Sequence, residues 1–298
     1  MEFSLPNKDQ FDEIIKQMKI ANKTSAPDDH TNSPGGKVLL KGDRNCGFYG
    51  FVQPHEIGLI DDVAEPNDVF NGDNLALAIG LSSGVPVYSN VPWMKFSWKG
   101  KILLIPMRVL RTNVSWDRLY LTGAVYGSGE EISSGEQYML DNDKRFLEAY
   151  ERTPQTSRVK VSGLEYKVRL MRGSANTPNK YDDPGRGGPG PENEWNNLIL
   201  PLHEKAPNSF NYNTHAGAPT EDWGINLTDD DLRTHYNFGV GSYSWMQEVS
   251  DLIADSDIPE EGTIRRVDRG YHGASFLIAG SSRNDSTSYG WRPVLELL

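Results

Sequence analysis

Six histidines, at 30, 55, 203, 215, 235 and 272, are the first candidates for chemistry in this chain. No two of them stand as His-x-His or His-x-x-x-His, the spacings that place two imidazoles on one metal. The single cysteine, Cys46, excludes an internal disulfide and any multi-cysteine metal site, and a free thiol fits a reducing cytosol. No phosphate-loop pattern occurs. With 41 acidic residues, a carboxylate pair for glycoside hydrolysis cannot be picked out. Asp229-Asp230-Asp231 and Asp141-Asn142-Asp143 offer oxygen ligands of the kind calcium takes, but neither lies in a loop with spaced ligands and a turn glycine. They read as solvated loop or helix-start residues. The expectation is no catalytic residue, no metal and no cofactor.

Aromatic side chains set in polar loops are the stronger signal. Trp223, Tyr236, Phe238, Tyr243, Trp245, Tyr271, Tyr289 and Trp291 cluster toward the C-terminal end, with Ser, Asn and Gly between them. Such compositions make adaptable binding surfaces at low entropic cost. Trp245 and Trp291 are assigned to the core. The expected ligand-binding set is Trp223, Tyr243, Tyr271, His272, Arg283, Asn284 and Tyr289, in loops near 207–245 and 270–290.

Elements must hold these residues in place. The 29 glycines and 18 prolines in 298 residues point to a loop-rich chain of short strands, not a helical bundle. Phe11, Ile14, Ile15 and Met18 form a helical apolar stripe behind Asn7, followed by a polar linker to Lys37. Segment 1–37 reads as an anchoring or oligomerisation helix and linker, 38–92 as a small mixed region, and 93–298 as the display domain. Lys99-Gly100 and Ser162-Gly163 each sit between apolar runs and predict hairpins. Val38-Leu39-Leu40 reads as a strand, Asp73–Ile79 as a capped helical turn, and Ser115 as the cap of a helix with Trp116, Leu119, Tyr120 and Ala124 on one face. Glu194–Leu200 looks helical, and short strands follow at 263–267, 274–279 and 292–297.

A net charge of −11 argues against a nucleic-acid surface over most of the chain. No apolar run approaches a bilayer span, and the N-terminus has no basic or apolar leader region.

The closing run Ser288-Tyr289-Gly290-Trp291-Arg292-Pro293-Val294-Leu295-Glu296-Leu297 resembles the C-terminus of many tailed-bacteriophage virion structural proteins. Other stretches resemble the same family in order: Asp73–Ala76 with Ile79–Ser82, Pro92–Phe96, Gly100–Leu103, Ser115–Asp117, Tyr166–Gly173, Asn193–Asn196 and Tyr243–Glu248. The pattern is also similar to the C-type-lectin-like fold in its formylglycine-generating-enzyme-like branch. That likeness implies an α+β fold of short antiparallel strands, two helices (near 116–125 and 194–202) and long loops. It also implies that the final strand pairs beside the first hairpin, Phe96–Ile105 with Val294–Leu297. The enzyme of that branch uses active-site cysteines, and the lone Cys46 lies outside the matching part, so its oxidase chemistry is not expected.

The resemblance implies a non-enzymatic virion component, assembled in the host cytoplasm, that displays a domain for attachment to a host-surface glycan or receptor. Other virion proteins would be its partners, and a homo-oligomer, by analogy with fibres a trimer, its assembly. Two alternatives stand: a decoration, collar or whisker protein touching only virion proteins, and a polysaccharide-degrading enzyme.

Overall fold

The computed structural model describes residues 32–61, 69–127, 153–173, 192–204, 221–250 and 265–298. The stripe Phe11, Ile14, Ile15 and Met18 lies outside them, as do residues 207–220 of the 207–245 loop region.

Two hairpins form where turn chemistry predicts them. Strands β4 (Trp93–Trp98) and β5 (Lys101–Pro106) join through Lys99 and Gly100, both at positive φ (51° and 79°). Strands β7 (Arg158–Val161) and β8 (Leu164–Leu170) join through Ser162 and Gly163, at 48° and 81°. Two left-handed residues give a turn whose twist matches that of the strands.

Three further strands complete a seven-stranded sheet in the order β1-β2-β4-β5-β13-β8-β7, where β1 is Lys41–Gly42, β2 Cys46–Val52 and β13 Pro293–Leu297. Strand β13 pairs antiparallel with β5 (Leu295 opposite Leu104) and with β8, so the expected meeting of the final strand and the first hairpin occurs. Ile102 and Leu104 face one apolar core and Leu103 and Ile105 a second. Burial on both faces is why this strand is an unbroken apolar run, not an alternating one.

A second sheet has the order β11-β10-β9-β12-β6-β3, with β3 Val85–Pro86, β6 Arg111–Thr112, β9 Tyr243–Ser250, β10 Arg265–Gly270, β11 Gly273–Ser281 and β12 Tyr289–Trp291. Indole N–H groups tie β9 of this sheet to the chain that leads into the helix after β6: Trp116 Nε1 donates to Met246 O and Trp245 Nε1 to Val114 O, both at 2.9 Å.

The expected α+β fold is corrected by these sheets. Among the described residues strands dominate, and no helix exceeds the seven residues of Gly72–Ala78. The helix capped by Ser115 spans only Trp116–Leu121, because Gly123 turns left-handed at φ 73° just beyond it. The expected helix near 194–202 is a π turn, Trp195–Ile199, running into a 3-10 turn, Leu200–Leu202. Asn side chains divert its backbone bonds: Asn193 Oδ1 accepts from the Asn196 amide, and Asn197 Nδ2 donates to Asn193 O. Residues 38–40 are not a strand; the short edge strand begins at Lys41.

One buried cation fastens the chain ahead of β1. Lys95, on β4, donates from Nζ to Ser33 Oγ (2.8 Å), Pro34 O (2.8 Å) and Gly36 O (2.7 Å). Burial, reinforced by the charge of Lys37, pushes its ammonium down to about 7.

Candidate functional site

Strand β10 enters a tight turn at Gly270 and leaves it at Gly273, at φ 107° and 113°. A side chain at Gly270 would meet the Ser242 carbonyl and the Thr234 methyl at 2.9 Å, so glycine is required. Between the two glycines stand Tyr271, half-buried, and His272, exposed.

Tyr271 caps a column of four rings. It stacks on Tyr243 (centroids 4.2 Å apart, 3° between planes), Tyr243 on Tyr289 (4.4 Å, 13°) and Tyr289 on Trp245 (4.5 Å, 22°). Tyr243 and Trp245 are alternate residues of β9 and share one face of the sheet, and Tyr289 of β12 slides between them. Burial deepens along the column, from half-buried Tyr271 to fully buried Trp245. A ring clamped in this way has little rotamer freedom left to lose on binding.

Beside the column lies Asp268, opposite Trp245 in the β9–β10 register and fully buried. Burial pushes its carboxyl well above the usual range, while the Gly280 amide and the Arg269 guanidinium pull less strongly the other way. Among the described residues neither carboxylate oxygen completes a hydrogen bond. Burial also raises the Tyr243 phenol, and the Asp268 charge adds to that.

The exposed end of the column continues as an aromatic and cationic ledge. His272 meets Tyr271 and Phe276 edge to face, at 4.6 and 4.7 Å, and its backbone bridges to His235. Partial burial, with His235 nearby, holds the His272 imidazole below its ordinary value. His235 packs on Phe238 at 5.9 Å, and Arg233 lies over Phe238 at 4.5 Å.

One carboxylate joins the two loops of the ledge. Asp229 Oδ1 accepts from Thr234 Oγ1 (2.7 Å) and the Ala274 amide (2.9 Å), and lies 3.2 Å from His203 Nε2. Burial alone would raise this carboxyl, but the bonds from His203, Thr234 and Ala274 bring it down to about 2. A depressed acid stabilises the fold above its unfolded value near 4 and loses that contribution as pH falls toward 2. Asp229→Asn is therefore expected to lower stability by about 2 kcal/mol at pH 7, with the deficit shrinking between pH 4 and 2 in chemical denaturation.

Of the expected ligand residues, Tyr243, Tyr271, His272 and Tyr289 come together here. Trp223 does not: it is buried, stacked on Phe48 at 6.2 Å and 13°, with its indole N–H donated to Glu221. Arg283 and Asn284 lie past the far end of β11 from His272, in a turn where Asn284 Oδ1 accepts from the Ser286 amide. Tyr88, Arg108, Arg233 and Asp268 belong to this region without a sequence signal of their own, and His235 joins them from among the histidines.

Other chemistry is thinly represented. Gly80-Leu81-Ser82-Ser83-Gly84 matches the letters of a nucleophile elbow, but it follows a helix instead of leading from a strand into one. Burial, with the charges of Glu221 and Asp43, pushes the Cys46 thiol up to about 12, so little thiolate is present at pH 7. Among the described residues no three His, Cys, Asp or Glu side chains converge on a metal position, and no helix is long and apolar enough to cross a membrane.

Fold and site together define a mostly-β scaffold of two sheets that holds a rigid aromatic and cationic ledge at one end. Compared with known proteins, the chain matches no family model, no curated protein and no solved structure.

Proposed function

We propose that this chain is a non-enzymatic structural component of a tailed-phage particle, and that the ledge around Tyr271 and His272 attaches the particle to a glycan on the host surface. The phage assignment rests on the ordered sequence motifs that end in Ser288–Leu297. The attachment assignment rests on one observation: a half-buried tyrosine and an exposed imidazole held in place by a four-ring column. Sugar rings present C–H faces to aromatic planes and hydroxyls to imidazole and amide groups. A preformed aromatic ledge meets both with little ordering cost. Assembly as a homo-oligomer within the virion, a trimer if it follows fibre architecture, belongs to the same reading.

Labelled full-length protein is expected to bind host cells saturably, with competition by extracted host polysaccharide and no release of reducing sugar. Tyr271→Ala combined with His272→Ala is expected to weaken that binding at least tenfold while leaving the thermal midpoint near its original value. Unchanged binding by the double variant sinks the attachment reading. Absence of cell binding, with antibody label on the capsid or collar, moves the protein to a purely structural role.

A further inference from the structure

Next to the ledge, three arginines converge on the C-terminal end of the short helix Asp229–Leu232. Arg108 donates from Nε to Asp231 O (3.1 Å) and from Nη2 to Asp230 O (3.0 Å). Arg233 donates from Nη2 to Phe238 O at 3.0 Å, and Arg292 donates from Nη2 to Leu232 O. The Tyr88 ring lies beneath both Arg108, at 5.3 Å, and Arg233, at 5.8 Å.

These cations are short of anions. Arg292 is fully buried, yet among the described residues no carboxylate pairs with it, and its Nε and Nη1 have no hydrogen-bond partner. Its company is the Trp195 ring at 5.3 Å, and burial, with the charge of Arg108 adding to it, brings the guanidinium down to about 9, still cationic at neutral pH. The Arg233 Nε is likewise buried without a partner. Burying a charge without a counter-charge is costly, and structures seldom tolerate it without use. Arg233 also holds a left-handed backbone, φ 60°, at a helix end where glycine is the usual residue. Strain kept at such a position points to a side chain that is needed there.

Two carboxylates lie close. Asp231 is committed to the helix start, accepting from the Thr228 amide and hydroxyl at 2.9 and 2.7 Å. Asp230 touches Arg233 Nη1 at 3.2 Å but is 63% exposed, and exposed pairs contribute little. An arriving oxyanion can displace it.

We propose that Arg108, Arg233 and Tyr88, backed by the buried charge of Arg292, form an oxyanion site that makes the ledge selective for acidic saccharides. This deepens the attachment reading above and rests on it. Guanidinium forks match the planar oxygens of a carboxylate and the oxygens of a phosphate, while Tyr88 and Phe238 supply faces for the sugar that carries them. The net charge of −11 does not forbid it, because charges beyond about 8 Å are screened at physiological ionic strength.

Calorimetric titration of the full chain with trigalacturonate, with a glycerol-phosphate oligomer and with neutral maltotriose tests the site. At least one acidic probe is expected to bind ten times more tightly than maltotriose. Carboxylate and phosphate sources are told apart by which probe wins. Arg233→Gln is expected to reduce that affinity at least tenfold with an unchanged thermal midpoint, whereas Arg292→Met risks the fold and is not the readout. Equal affinity for acidic and neutral probes, or full affinity in an Arg108→Gln and Arg233→Gln double variant, overturns the proposal. Cell binding that depends on Tyr271 and His272 but shows no acid preference overturns this site alone. Acidic-probe binding that depends on Arg233 without cell attachment overturns the attachment reading alone.

Discussion

Arg169→Met is expected to lower the unfolding free energy by about 4 kcal/mol, the size seen when one partner of a buried ion pair is removed. Arg169 stands on β8 with its side chain buried, and it donates from Nη1 and Nη2 to both oxygens of Glu194 at 2.8 and 2.7 Å. Its Nε donates to Glu296 of β13 at 3.0 Å. The guanidinium thus joins a sheet strand, the C-terminal strand and the turn that carries Trp195. In its absence Glu296 keeps Lys101 and Lys167, whereas among the described residues Glu194 keeps only the Arg172 amide. Adding Glu194→Gln is expected to recover part of the loss, since a neutral amide is cheaper to leave buried. Urea denaturation of the single and double variants measures both terms. Additive losses would remove the coupling on which the prediction rests.

Asp268→Asn is expected to act in the opposite direction at neutral pH. An acid whose value is raised by folding keeps its proton in the fold while the unfolded chain gives it up. Stability therefore falls as pH rises above about 4, by up to about 1.4 kcal/mol per pH unit. The asparagine variant lacks that decline. The two proteins should be alike near pH 3, and the variant should become the more stable of the two as pH rises above about 4. Parallel stability curves across that range would show that Asp268 is ionised in the fold and has a partner.

Both predictions concern charges placed by tertiary structure, and this is where the sequence falls silent. Turn chemistry is local, so Lys99-Gly100 and Ser162-Gly163 announce their hairpins. The run Ile102–Ile105 announces a strand, but its pairing with Val294–Leu297 is implied only by the likeness to the lectin-like fold. The strand Cys46–Val52, set between β1 and β4, escapes a local reading, because its pairing with β4 depends on residues more than 40 positions away. The turn at Trp195 misleads a helical reading, since its apolar spacing is helical while its asparagines redirect the backbone. The same limit divides the site. Tyr243, Tyr271, His272 and Tyr289 stand out as aromatic or ring-bearing residues among polar ones, and so does Trp223. Only the packing against Phe48 and Phe96 tells that the last belongs to the core. Arg292 gives no hint that it is buried without a counter-charge, and Tyr88 gives none that two guanidiniums rest on its ring.

The place of β13 has a consequence for biosynthesis. This strand lies in the middle of its sheet, between β5 and β8. On a translating ribosome the β4–β5 hairpin emerges long before its neighbour exists, and the stretch from Pro106 to Pro293 takes roughly 10–40 s to synthesise. During that wait the edge of β5, with Ile102 to Ile105, stands open to pairing with other nascent chains. Chains interrupted before residue 293 can never close it. Until β13 arrives, the open edge of β5 is the kind of surface a holding chaperone can cover.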